Sequence, residues 1–233
     1  MTVFLWGPSE ALIVPAPTPA FLMNNDDSGR CQMFQVGVPE LEIINCLKTF
    51  ANKNKVFIDC GAHMGVYSIL LADGFKQVFA FEAQRRTYFQ LCGNIFINEK
   101  QNITPYSLGI AETTDIRTLY IVSEDGGGST FCSSDMPVLK KETVEIKALD
   151  DLDIPKNNIG LIKLDVEGYE LNIIRGALQT LKESHYPPIA FESNPGREKY
   201  AARQSLFKEL KNLNYEIKQF PTFDNMFLAL QVN

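Results

Sequence analysis

Four acidic residues stand where short, largely apolar runs stop. Asp59 follows Val56-Phe57-Ile58, Glu82 follows Val78-Phe79-Ala80-Phe81, Asp165 follows Leu161-Ile162-Lys163-Leu164, and Glu192 follows Ile189-Ala190-Phe191. Runs of this length and composition read as strands buried on both faces. A carboxylate at the mouth of such a strand is poorly solvated and needs a partner. A cationic ligand would supply one.

The loop opened by the first of these acids, Asp59-Cys60-Gly61-Ala62-His63-Met64-Gly65, separates two ligand classes. A dinucleotide site wants Gly-x-Gly-x-x-Gly, so that bare backbone and a helix N-terminus meet pyrophosphate. Here the spacing is Gly61-x-x-x-Gly65, and Asp59 would repel a pyrophosphate. S-adenosylmethionine carries no phosphate; its sulfur and its ammonium are cationic, and its carboxylate suits a helix N-terminus. Glu82 lies 23 positions after Asp59. There a carboxylate can accept from both ribose hydroxyls, as the acid about 20 positions on does in dinucleotide folds. Both ligand classes use that device. Taken alone, Gly61 and Gly65 could merely permit a tight turn, with Asp59 capping the following helix.

These residues need elements to position them. The order over residues 56–107 is strand, helix (66–72), strand, helix, strand (103–107), which is half of an open parallel α/β sheet. Tyr88, Leu91, Cys92, Ile95 and Phe96 give the second helix one apolar face. Ligands in such a sheet bind beyond the carboxyl ends of the strands, here Asp59, Glu82, Ser107, Asp165 and Glu192. Residues 110–148 read as a β-rich insertion, with strands at 118–122 and 144–147 and a flexible Gly126-Gly127-Gly128-Ser129 between them. The stretch 126–134 is a candidate lid or acceptor loop, or an ordinary mobile loop. The winding resumes at 161–165. Leu171, Ile174, Ala177, Leu178 and Leu181 share a helix face, a strand ends at Glu192, a helix covers 198–213, and 215–220 and 226–230 close as an antiparallel pair. Before the sheet, Leu41, Ile44, Leu47 and Phe50 mark a short helix opened by Pro39. Residues 1–38 read as an irregular N-terminal arm and 39–233 as the catalytic domain.

Composition bounds the function. A chain of 233 residues with 45% hydrophobic content builds one domain with an appendage. Its net charge of −6 sets up no field for nucleic acid or an anionic membrane. The five cysteines, Cys31, Cys46, Cys60, Cys92 and Cys132, form no Cys-x-x-Cys pair and are odd in number. They read as small buried hydrophobes in a reducing, cytoplasmic setting. Prolines 8, 15, 17 and 19 break any signal helix, and no run reaches the roughly 18 apolar residues of a membrane span.

Several linked segments resemble the FkbM-type methyltransferase family. Val56-Phe57-Ile58-Asp59-Cys60-Gly61-Ala62-His63-Met64-Gly65-Val66-Tyr67-Ser68 is similar to its first motif, in which asparagine is usual where this chain has His63. Phe81-Glu82-Ala83 is similar to its second, in which proline commonly follows the acid. Asn94 and Asn98, Leu149-Asp150-Asp151-Leu152, and Ile162-Lys163-Leu164-Asp165-Val166-Glu167-Gly168-Tyr169-Glu170 complete the likeness, which spans roughly residues 40–230. The resemblance implies a Rossmann-like, seven-stranded, mostly parallel sheet with helices on both faces. It also implies S-adenosylmethionine as donor and transfer to an oxygen. The candidate cofactor residues are then Asp59, Gly61, Ala62, His63, Gly65, Glu82, Ala83, Ser107 and Leu108. Asp165, Glu167 and Glu192 are candidate catalytic residues, since an alcohol is a weak nucleophile and a carboxylate that takes its proton helps. Glu167 and Glu170 could instead complement a helix dipole. No metal is expected, although Asp165 and Glu192 could offer oxygen ligands to a divalent cation. The expected acceptor is a hydroxyl of a sugar, glycan or small metabolite. Competing readings are a non-catalytic donor-binding domain, a nucleotide-dependent oxidoreductase and, more weakly, an RNA 2′-O-methyltransferase.

Overall fold

A computed structural model describes residues 12–15, 20–23, 40–123, 127–132, 137–194 and 200–232. Pro39, Cys31 and positions 126, 133 and 134 lie outside them. The N-terminal stretch read as irregular contains an antiparallel hairpin of β1 (Leu12–Pro15) and β2 (Ala20–Met23). Phe21 on β2 is buried against the main core.

The domain proper runs α1 (Leu41–Leu47), β3 (Asn52–Cys60), α2 (Val66–Leu71), β4 (Phe75–Phe81), α3 (Arg85–Ile97) and β5 (Ile103–Tyr106). A small β excursion follows: β6 (Gly109–Ala111), β7 (Asp115–Ile121) and β8 (Lys140–Ala148). The main fold resumes with β9 (Ile159–Leu164), α4 (Glu170–Arg175), α5 (Leu178–Glu183), β10 (Ile189–Glu192), α6 (Tyr200–Asn212), β11 (Tyr215–Gln219) and β12 (Met226–Gln231).

Seven strands form the main sheet in the order β11-β12-β10-β9-β3-β4-β5. β12 alone runs against its neighbours β10 and β11; the remaining pairings are parallel. The excursion is a separate sheet of order β6-β8-β7. This is the Rossmann-like arrangement expected, with the insertion where the sequence placed it.

Alternation along β3 explains the two layers. Phe57 packs with α1, α2 and α3, in a cluster holding Ile44, Leu47, Ile69 and Leu91. Val56, Ile58 and Cys60 face the other way, onto Ile173 and Ile174 of α4, Leu181 of α5 and Leu206 and Leu210 of α6. Both faces of β3 are therefore closed off from water from Val56 onward.

Three helix readings change. Phe96 is 82% exposed, so the buried face of α3 is centred on Leu91 and Asn94 rather than running to Phe96. Leu41 is also exposed, and Ile43 takes its place in the core. The helix expected over 171–181 is two helices. A Cβ on Gly176 would stand 2.0 Å from the Ala111 carbonyl oxygen, so the backbone there lies against the excursion and the helix breaks. Asp150 then caps α5, accepting from the Gln179 and Thr180 amides at 3.0 and 2.7 Å.

Candidate active site

The chain leaves β3 for β4 and β5 on one side of the sheet and later fills β9 and β10 on the other. The strand order therefore reverses at β3/β9, and ligands bind beyond the carboxyl ends at such a point. A cavity of about 290 Å³ opens there. Gly61, Ala62, His63, Glu82, Ala83, Leu108, Asp165 and Glu167 all line it.

The glycine loop is shaped from both sides. Gly61 adopts φ +75, and a Cβ on it would sit 1.8 Å from the Asp165 carbonyl oxygen. The backbones at the ends of β3 and β9 approach too closely for any side chain. Gly65, at φ +93, would drive a Cβ to 2.6 Å from Leu91 Cδ1. The Gly61 and Ala62 amides donate to the Phe81 carbonyl at 3.0 and 2.9 Å. Buried Asn94 on α3 donates to the Met64 carbonyl at 2.8 Å, and Asn98 to the Asn94 carbonyl at 2.8 Å. Asn94 thus holds the loop, and Asn98 closes the end of α3.

Glu82, at the end of β4, accepts from the His63 amide on Oε2 and from the Gln84 amide on Oε1, both at 2.8 Å. Burial raises its carboxyl above the usual range, against the pull of His63 and these amides. Two oxygens with about four lone-pair sites leave two directions for further donors. A vicinal diol is the simplest partner of that shape.

Not every expected residue meets the cavity. Asp59 is fully buried and does not line it. Its Oδ2 accepts from Ser68 Oγ at 2.6 Å, and its Oδ1 lies 3.5 Å from Lys163 Nζ without a hydrogen bond. The cation expected from a ligand is supplied by the chain itself. Gly65 likewise sits behind the loop. Ser107 is exposed and opens onto a separate shallow groove, because the turn after β5 sends Leu108 inward and Ser107 outward. Cys132 is exposed, and Cys46 and Cys92 are only half-buried; Cys60 alone of the described cysteines fits the buried reading.

The three candidate catalytic acids come together, each offering an oxygen within 4.8 Å of the others. Asp165 is 3.2 Å from Lys163. Burial pushes its carboxyl up, but the Lys163 charge and a hydrogen bond with Glu192 outweigh this and hold it below the usual range. Glu192, beside it on β10, moves the other way: burial and the Asp165 charge push it up to about 9. At neutral pH Asp165 is therefore ionised and Glu192 carries the shared proton. Glu192 also accepts from the Asn225 side-chain amide.

Glu167 sits at φ 55. Its Oε1 accepts from the Gly128 amide at 2.9 Å, and its carbonyl from Thr130 Oγ1 at 2.9 Å. Ser129 donates to Gln84 at 2.8 Å. The described part of the candidate lid, residues 127–132, is thereby tied to β4's end and β9's end, and Gly127, Gly128, Ser129 and Phe131 wall the cavity. Glu170 is buried and accepts from the Val166 and Gly168 amides at 3.0 and 3.4 Å, in keeping with a helix-terminal role.

Sequence reasoning passed over three residues here. Glu40, Tyr67 and Lys163 line the cavity. The Tyr67 hydroxyl donates to Glu40 Oε2 at 2.7 Å, and Lys163 Nζ lies 5.0 Å from the centre of the Tyr67 ring. A lysine inside an otherwise apolar strand was the available signal for Lys163.

A switch-point cavity with a glycine loop on one strand, an acid at the end of the next and an acid pair across from them sits in a Rossmann-like sheet. The Methyltransferase FkbM domain matches residues 59–228, and the chain belongs to that family of methyltransferases. S-adenosylmethionine, the donor expected, fits the residues present, since Glu82 keeps two open acceptor directions beside the glycine loop. The chain is 22% identical over 147 residues to the hexuronic acid methyltransferase AglP of Haloferax volcanii, covering 63% of this chain and 60% of that one. It is 23% identical over 154 residues to Methyltransferase 1 of Beauveria bassiana, covering 57% and 60%. It thus spans about 60% of the length of these curated relatives. The fold is similar to that of methyltransferase FkbM from Methylobacillus flagellatus, with a TM-score of 0.52, 20% identity, and 76% of this chain and 44% of that one covered. No helix among the described residues is long and apolar enough to cross a membrane.

Proposed function

We propose that this chain is an O-methyltransferase acting on a hydroxyl of a sugar, glycan or other small metabolite. The observation that carries the reading is Asp165: a carboxylate kept ionised in the same cavity as Glu82 and the glycine loop. S-adenosylmethionine supplies an already activated methyl group, so the protein's work is chiefly alignment. Glu82 holds the ribose hydroxyls, and Gly61, Ala62 and His63 offer loop backbone beside Ala83 and Leu108. Asp165 accepts the hydrogen bond of the incoming hydroxyl and takes its proton as the oxygen attacks. Glu192, protonated, donates to Asp165 and keeps that oxygen pair from sharing two negative charges. Glu167 ties down the 127–132 loop, so that the acceptor side is shielded from water.

The name of the Haloferax relative supports a sugar-type acceptor, and the net charge of −6 supports a small acceptor over a nucleic acid. On this reading residues 39–233 form the catalytic domain, and the reaction is cytoplasmic. Incubation with methyl-labelled S-adenosylmethionine and a panel of mono- and oligosaccharides tests it. Label is expected in an ether-linked methyl on one of these. Label recovered only on nitrogen or carbon acceptors would contradict it.

A further inference from the structure

We propose that Lys163 is a positioning residue that couples the glycine loop to the catalytic carboxylate across the β3/β9 switch point. The inference borrows from the function above only the role of Asp165; the geometry stands by itself. Lys163 lies opposite Asp59 in the β3–β9 register and is almost wholly buried. An ammonium has three N–H donors. Three oxygens surround this one: the Gly61 carbonyl accepts at 2.9 Å, Asp165 stands at 3.2 Å, and the Asp59 carboxylate pairs by charge alone at 3.5 Å. Two belong to β3 and its loop and one to the end of β9. The Tyr67 ring closes a fourth side.

A buried ammonium is costly to desolvate, and a well-packed apolar side chain is often as stable in its place. Stability alone is thus a weak reason for a lysine in the middle of an apolar strand. What an apolar residue could not do is pin the Gly61 carbonyl, which sets the direction of the loop, while holding Asp165 charged. The charged and titratable groups around Lys163 and the Asp165–Glu192 pair are Asp59 and Cys60 on β3, Tyr67 on α2, Glu40 before α1, Glu82 beyond β4, His63 in the loop, Glu167 after β9 and Glu170 on α4. Burial works against the ammonium, but Asp165, Asp59 and Glu40 outweigh it and hold it above the usual lysine range.

The test uses Lys163→Met, which keeps length without charge, and the double variant Lys163→Met/Asp59→Asn, which also removes the buried carboxylate left without a cation. Carboxyl ¹³C shifts of Asp165 and Glu192 are followed against pH in the ligand-free protein. S-adenosylhomocysteine affinity and the pH dependence of kcat and KM are measured alongside. In both variants the second proton uptake of the Asp165–Glu192 pair, the one that neutralises Asp165, is expected to move up by about one pH unit or more. The acid limb of kcat should move with it, and S-adenosylhomocysteine should bind about three- to tenfold more weakly. A folded variant with wild-type titration and wild-type affinity overturns the proposal. So does failure of both variants to fold, which would make Lys163 a structural residue. A shifted titration in a protein whose wild type methylates no hydroxyl would leave the coupling standing and remove the O-methyltransferase reading.

Discussion

At Asp165 and Glu192, two carboxyl groups with similar ordinary pKa values are driven apart by their surroundings. Lys163 stabilises charge on one, and burial beside that charge keeps the other protonated up to about pH 9. Replacing Asp165 by Asn keeps shape and removes the proton acceptor. Turnover is expected to fall about 100-fold, with S-adenosylhomocysteine affinity within about threefold of wild type; an unchanged kcat would remove Asp165 from the mechanism. Glu192 makes a linkage prediction. Its folded pKa lies above its unfolded one, so between about pH 4.5 and 9 the native state holds a proton that the unfolded chain has lost, and stability declines across that window. Glu192→Gln keeps the donor to Asp165 and removes the titration. Thermal melts from pH 5 to 9 should show a smaller drop in Tm for Glu192→Gln than for wild type, and equal drops would count against the proton-sharing pair. Glu82 was legible as a strand-end acid at a characteristic distance. Asp59 was legible as an acid, but its partner stands 104 positions away on β9, and no local pattern in the sequence links the two.

Elements were most legible where burial was complete. The apolar runs of β3, β4, β9 and β10 have no other use than a sheet covered on both faces. The β1–β2 hairpin was not legible, since four-residue strands among prolines carry too short an alternation. The α4/α5 break escaped because the apolar spacing continues unbroken through Gly176, while its cause, the Ala111 backbone, lies on another sheet. Two predictions belong at this scale. Gly61→Ala forces a Cβ into the Asp165 carbonyl and adds left-handed strain, so it should lower stability by at least about 2 kcal/mol in urea unfolding and abolish S-adenosylhomocysteine binding. Glu167→Ala removes the acceptor of the Gly128 amide. Hydrogen exchange at that amide should then speed up at least about tenfold, with little change in the sheet; unchanged protection would mean the loop is held by other contacts.

For the molecule as a whole, seven strands bring one loop, one carboxylate and one acid pair to a single edge, and Ile110 and Leu119 of the β6–β8–β7 sheet roof the same edge together with Phe131 of the 127–132 loop. The family's motifs made that assembly readable before any coordinate, because those carrying Asp59, Glu82 and Asp165 sit at the ends of β3, β4 and β9. The roof was readable only as an insertion, since its partners Gln84 and Glu167 stand 45 and 37–39 positions away in the chain. The proposed function rests on S-adenosylmethionine binding at this edge with Glu82 on its ribose. Isothermal titration of wild-type and Glu82→Ala protein with S-adenosylhomocysteine and with NAD tests it most directly. Charge-assisted hydrogen bonds are worth about 1.5–3 kcal/mol each. S-adenosylhomocysteine should therefore bind wild type, bind Glu82→Ala at least about 30-fold more weakly, and NAD should not bind. Binding of NAD alone, or equal affinity of the two proteins for S-adenosylhomocysteine, would contradict it.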